Sequence, residues 1–282
     1  MNKNIYFDRS RKVLFIGPMK AGTTWIHEYL QSRGDVVLPS GVKETFFFDR
    51  NFDKGLSWYA SHFSSSVVGD PLLVEVAPSY FHNDVVPVRV GETFNDLQVI
   101  ATLRHPVKRA WSHYLHLRRY GYTSKSLQDA VRDYPQIIEA SRYSRCLERW
   151  GAVFGAGNVH VLWQEDMIAS LDDYADRIST MLGLCVVPLD NYMRTPSNEA
   201  AVAPSAAFAA LGRKISYFLR DRRLYNIVNL AKKSGLKNIF FGTPGSKSLP
   251  ILSDEDFAWL HTKLREDYNS LPPQYKHPAV KL

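Results

Sequence analysis

The sequence predicts an α/β fold: one domain with a mostly parallel sheet, helices on both of its faces, and a helical C-terminal extension. Three observations predict it. Short apolar runs recur along the chain with helical patterns between them. These runs are continuous rather than alternating, as expected of parallel strands buried on both sides. The first run opens through a glycine-containing turn into a helix, as a βα unit does. The chain has 282 residues, 45% hydrophobic and 22% charged, an ordinary globular composition that disfavours disorder, collagen-like repeats and coiled coil.

In chain order, KVLFIG (12–17) reads as the first strand and TTWIHEYLQSR (23–33) as its helix. LLVEVA (72–77) is the second strand, followed by the helical stretch PSYFHNDVVPVRVGETF. QVIATL (98–103) then runs into HPVKRAWSHYLHLRR (105–119). A fourth strand, NVHVLW (158–163), follows the amphipathic segment RYSRCLERWGAVF (142–154) and precedes a helix over 170–182. The last third changes character: residues 197–210 are rich in Ala, Ser and Pro, 211–238 mix Lys and Arg with apolar residues, and a final helix runs from Asp254 to about Leu271. Ligands of such sheets bind beyond the carboxyl ends of the strands.

The charge balance is +7, which points to an anionic ligand, a polyanion or an anionic surface without choosing among them. Cys146 and Cys185 form no CxxC or metal-ligand spacing, so neither a disulfide framework nor a zinc site is expected and a reducing, cytoplasmic setting fits. His113 and His116 share a helix face but lack an evident third ligand, so no metal is expected.

Two stretches carry anion-binding chemistry. GPMKAGTTW (17–25) lies between a strand and a helix with Gly17 and Gly22 five apart, and bare amides at such a helix start point at an oxyanion. A nucleoside triphosphate loop has Lys directly after the second Gly; here that position is Thr23 and the lysine is Lys20. RHPVKRAWSHY (104–114) places Arg104 at a strand end and Arg109 and Ser112 on the next helix. Alone it reads as a solvated basic face; beside the first loop it reads as a second cradle, which implies a ligand with phosphates at both ends.

These residues resemble the sulfotransferase family that uses 3′-phosphoadenosine 5′-phosphosulfate (PAPS). PMKAGTTW resembles its 5′-phosphosulfate loop and RHPVKRAWSHY its 3′-phosphate motif, while KETFFFD (43–49), GLSWYASHF (55–63) and VEVAPSYF (74–81) resemble the branch that includes heparan sulfate sulfotransferase domains and their bacterial relatives. The similarity covers about residues 12–182, a P-loop-like cofactor-binding core, and leaves 183–282 as a mainly helical part. It implies that Lys20, Ala21, Gly22, Thr23, Thr24 and Trp25 hold the 5′-phosphosulfate, that Arg104 and Ser112 hold the 3′-phosphate, and that Lys247, in GTPGSKSLP, belongs to a cofactor-covering loop. It further implies a catalytic pair, Lys20 at the bridging oxygen and Glu44 as base, with Phe46, His82, His116 and Tyr120 on the acceptor side and no metal requirement. The heparan 3-O part of that branch commonly has His where Phe46 stands and Lys where Val76 stands, groups that help bind or activate an anionic sugar, and their loss here weighs against a heparan-like acceptor.

The expected activity is therefore in-line sulfuryl transfer from PAPS to a hydroxyl or amine of a carbohydrate, glycolipid or small natural product. The alternatives are a P-loop kinase, against which the missing Gly-Lys-Ser/Thr speaks, and a basic nucleic-acid-binding protein, against which the dispersed charge speaks. Segment 211–238 reads as a helix packing its apolar face on the domain, with peripheral contact to an anionic membrane or cover over the acceptor as the other readings. Arg118 to Arg142 is a candidate acceptor-side lid.

Overall fold

The computed structural model describes residues 7, 10–63, 71–194 and 249–282. The basic segment 211–238 and Lys247 lie outside them. The strands are β1 (Lys12–Gly17), β2 (Val36–Val37), β3 (Leu72–Val76), β4 (Gln98–Leu103) and β5 (Val159–Trp163). They form one sheet in the order β2-β3-β1-β4-β5, and every pairing is parallel. The described helices are α1 (Thr23–Ser32), α2 (Phe47–Arg50), α3 (Leu56–Ala60), α4 (Val86–Thr93), α5 (Pro106–Arg119), α6 (Leu127–Asp133), α7 (Gln136–Glu139), α8 (Tyr143–Phe154), α9 (Gln164–Ala169), α10 (Leu171–Leu182) and α11 (Asp254–Asn269).

The continuous apolar runs are explained by burial on both sides. Successive strand residues point to opposite faces, so Val13 and Phe15 join one core with Ile26, Tyr29 and Ile178, while Leu14 and Ile16 join another with Phe47, Phe48 and Trp150. The four longer strands fall where the sequence places them. The two-residue strand β2 was not expected, and the stretch after β3 is helical only over Val86–Thr93, the preceding residues forming turns. The helical region over 170–182 is α10, and α9 precedes it directly after β5.

A third apolar cluster joins α5 to α11, with Val107, Ala110, Trp111 and Leu117 against Leu260 and Leu264. Asp267 of α11 also accepts hydrogen bonds from the backbone N–H groups of Ser144 and Arg145, at 3.0 and 3.1 Å, and so caps the start of α8 from 122 residues away. The C-terminal helix thus braces the helix that follows β4. Arg109, fully buried, pins that helix on its other side: it donates to Ser141 Oγ, to the carbonyl of Ile137 and, at 3.3 Å, to His113 Nδ1. The stretch from Arg118 to Arg142 holds α6 and α7, tied locally by Tyr114 and Arg118 to the Lys125 carbonyl.

Candidate active site

The carboxyl ends of β1, β3 and β4 bring the predicted motifs together. Gly17 closes β1 with φ 88°, and a Cβ there would lie 2.4 Å from the Cα of Pro78, so only glycine lets the two loops pass this closely. Gly22 caps α1 with φ 87°, and the first helical amides beyond it lack a side-chain cap. Between them Lys20 holds φ 75°. Among the described residues the only other non-glycine residue at positive φ is Phe46, φ 53°, on the loop that carries Glu44. Such backbone is retained where surrounding structure fixes it, commonly at functional sites.

Lys20 stands in a crowd of cations. Arg104 Nη1 donates to the Lys20 carbonyl at 3.3 Å. Burial, followed by the charges of Arg119, Arg104, Lys43 and Arg109, brings the Lys20 ammonium down to about 8. No carboxylate pairs with Lys20, Arg104 or Arg119 among the described residues, so this end of the sheet carries a concentrated positive potential suited to an oxyanion. The histidines nearby are held neutral: burial, then Lys20 and Arg119, takes His116 down to about 3, and burial with Arg109 takes His82 down to about 4. The His116 ring lies tilted against Tyr120 with centroids 4.7 Å apart, and His82 Nδ1 is buried with no partner among the described residues.

Glu44 approaches from the loop between β2 and α2. It is half-buried and accepts no hydrogen bond among the described residues. Burial, opposed by Lys43 and reinforced by Glu75 and Asp49, raises its carboxyl to about 7. Lys43 links the two halves of the site: its ammonium donates to Thr24 Oγ1 at 3.3 Å, while its charge acts on Glu44.

Beneath Glu44 lies a carboxylate the sequence reasoning passed over. Glu75, buried on β3, accepts from Thr45 N at 2.8 Å and Thr45 Oγ1 at 2.7 Å through one oxygen, and from Tyr59 OH at 3.0 Å and Tyr80 OH at 3.3 Å through the other. Four donors on one buried carboxylate fix the residue next to Glu44, and so fix where Glu44 stands. The signal was a lone charge inside the apolar run LLVEVA, which requires buried partners.

The remaining predicted residues take distinct places. Ala21 is buried in the loop and Thr23 at the first position of α1, while Trp25 stacks on Tyr29 with centroids 5.4 Å apart and donates its indole N–H to the Met193 carbonyl at 3.0 Å. Phe47 and Phe48 are core residues, and half-buried Phe46 lies under the Arg50 guanidinium at 4.4 Å. Ser112 is half-buried on α5, one turn before His116. The α5 amino end is partly satisfied from within, because Glu165 accepts from the His105 N–H at 2.9 Å. Arg109, part of the expected anion signature, is committed to the interior instead.

A parallel sheet with an oxyanion loop after its first strand and a second basic motif after β4 defines a P-loop-like anion-binding α/β protein. The sulfotransferase domain family matches residues 10–198, and the chain belongs to that family. The human bifunctional heparan sulfate N-deacetylase/N-sulfotransferase 2 is 30% identical over 208 residues, covering 67% of this chain and 23% of that protein. The Drosophila melanogaster bifunctional heparan sulfate N-deacetylase/N-sulfotransferase is 27% identical over 216 residues, covering 66% of this chain and 20% of that protein. The chain therefore spans a quarter or less of the length of these curated relatives. The crystal structure of a sulfotransferase from Alicyclobacillus acidocaldarius superposes with a TM-score of 0.55 at 20% identity, over 65% of this chain and 88% of that one, and shares the fold.

Proposed function

We propose that this domain transfers a sulfuryl group from PAPS to a hydroxyl or amine of a saccharide or small-molecule acceptor. The observation that carries the reading is the convergence of two loops, in which the Lys43 ammonium donates to Thr24 Oγ1 at 3.3 Å, beside Lys20 on one side and the Glu44 carboxyl, raised to about 7, on the other. The names of the relatives, bifunctional heparan sulfate N-deacetylase/N-sulfotransferases, support a saccharide amine within that class of acceptor.

The residues present fit the carrier. The uncapped amides after Gly22, with Lys20, Thr23 and Thr24, suit a phosphosulfate, and Arg104 with Ser112 suits a 3′-phosphate. When bound, PAPS supplies the sulfuryl group and an adenosine bisphosphate (PAP) is left. Lys20 holds positive charge at the loop apex, where negative charge develops on the departing phosphate. Glu44 takes the acceptor proton, a role for which a carboxyl near 7 is matched to neutral pH. The loops at the strand ends mainly position and neutralise.

Thermal denaturation with PAP against ATP and magnesium tests the reading, because a ligand stabilises the fold it binds. Stabilisation by PAP alone is expected. Stabilisation by the magnesium triphosphate and not by PAP overturns the proposal.

A further inference from the structure

We propose that Arg119 is a second cation for the transferring sulfuryl group, its guanidinium facing the equatorial sulfuryl oxygens beside Lys20. The assignment rests on the PAPS reading of the site. It begins from α5, along which Ser112, His116 and Arg119 follow at spacings of four and three and therefore share a face. Seven residues of helix advance about 10 Å. The helix that meets the carrier's 3′-phosphate through Ser112 thus presents Arg119 two turns later, toward the end that reacts.

The side chain itself is uncommitted. Arg119 is half-buried, its Nε is fully buried, and it meets no acceptor and no carboxylate among the described residues. Other arginines of the core are spoken for: Arg33 by Asp35 and the Cys185 carbonyl, Arg109 by Ser141 and the Ile137 carbonyl, Arg118 by the Tyr114 hydroxyl. Arg119 is also, after burial, the foremost cause of the lowered Lys20 ammonium, and it acts on His116 as well. Two cations drawn together without an acid between them suit an oxyanion that touches both. A guanidinium fork matches two oxygens of a tetrahedral group, whereas an ammonium meets one point of charge. Lys20 then serves the bridging oxygen and Arg119 the sulfuryl oxygens.

In the transfer, the acceptor oxygen or nitrogen bonds to sulfur as the bond from sulfur to the bridging oxygen breaks. The acceptor proton passes to Glu44 and the electron pair stays on the departing phosphate. Arg119 changes no bond; it holds charge on the group in flight.

Because PAP lacks the sulfuryl group, the two nucleotides separate this role from a structural one without any turnover. Calorimetric binding of PAPS and of PAP, without acceptor, is compared for the wild-type chain, Arg119→Gln and Arg119→Lys. The expected result for Arg119→Gln is PAPS affinity lowered about tenfold or more, the size of a lost charge-assisted contact, with PAP affinity unchanged and partial recovery in Arg119→Lys. Equal losses for PAP and PAPS, or no loss for either, overturn the assignment. A wild-type chain that binds neither nucleotide overturns the PAPS reading itself, and is recognised before any variant is made.

Discussion

Glu44 and Lys20 titrate toward one another, and their separation sets the pH range in which the site can work. Glu44 must be ionised to accept a proton, and its carboxyl is raised to about 7 by burial. Lys20 must be protonated to hold charge at the loop apex, and it is lowered to about 8 by burial and its cationic neighbours. With these values, the fraction of molecules having both groups in the working state is about 0.6 at pH 7.5 and about 0.1 at pH 6 or pH 9. The profile of kcat/KM is thus expected to be a narrow bell that falls about sixfold on either side. An oxyanion against Lys20 favours its charged form, so at saturating PAPS the alkaline limb of kcat moves to higher pH while the acid limb stays. Initial rates across this range, with PAPS limiting and then saturating, measure both profiles. A kcat/KM that is flat between pH 6 and pH 9, or an acid limb that survives in Glu44→Gln, refutes the pairing of these two groups.

Three further outcomes are expected. Because the folded carboxyl of Glu44 lies above its ordinary 4.5, the fold is penalised as pH rises from that value through about 7. Glu44→Gln should therefore raise Tm at pH 8, by at most about 3 kcal/mol of stability, leave it unchanged at pH 4, and abolish most turnover. Arg104→Ala should raise the KM for PAPS with little change in the acceptor KM, since its side chain reaches the Lys20 carbonyl on the carrier side; steady-state kinetics with each substrate varied will show it. Glu75→Gln replaces one acceptor oxygen with an NH2 group, so that hydroxyls now donating to it must turn to accept, and is expected to cost about 1–3 kcal/mol in urea unfolding and to lower kcat by displacing Thr45 and Glu44.

The parts of the fold that were legible in the sequence are those with a periodic signal. Strands β1, β3, β4 and β5 are each five or six residues long and mostly buried, long enough to stand out as apolar. Strand β2 is two residues, Val36–Val37, and its pairing with β3 is a tertiary event with no local pattern. The motifs around Lys20, Gly22 and Arg104 stand out in the sequence because each lies in one contiguous loop or strand end, and the fold brings them to the same end of the sheet. Lys43 could not, since it meets Thr24 only when two loops 19 residues apart converge. Arg119 has the look of an ordinary basic residue closing a helix, where it complements the dipole. Arg109 shows the reverse: its place in a basic motif suggests a ligand, yet full burial sends it to Ser141 and a carbonyl.

The bracing of α5 by α11 bears on how far the polypeptide can be trimmed. The stretch shared with the family ends at residue 198, whereas Leu260, Leu264 and Asp267 lie well past that point. A fragment cut at the shared boundary would keep every residue assigned to chemistry except Lys247, yet leave Val107 and Trp111 wet and the first turn of α8 without its carboxylate. The distal tail is thus a buttress for the reacting end, not an ornament.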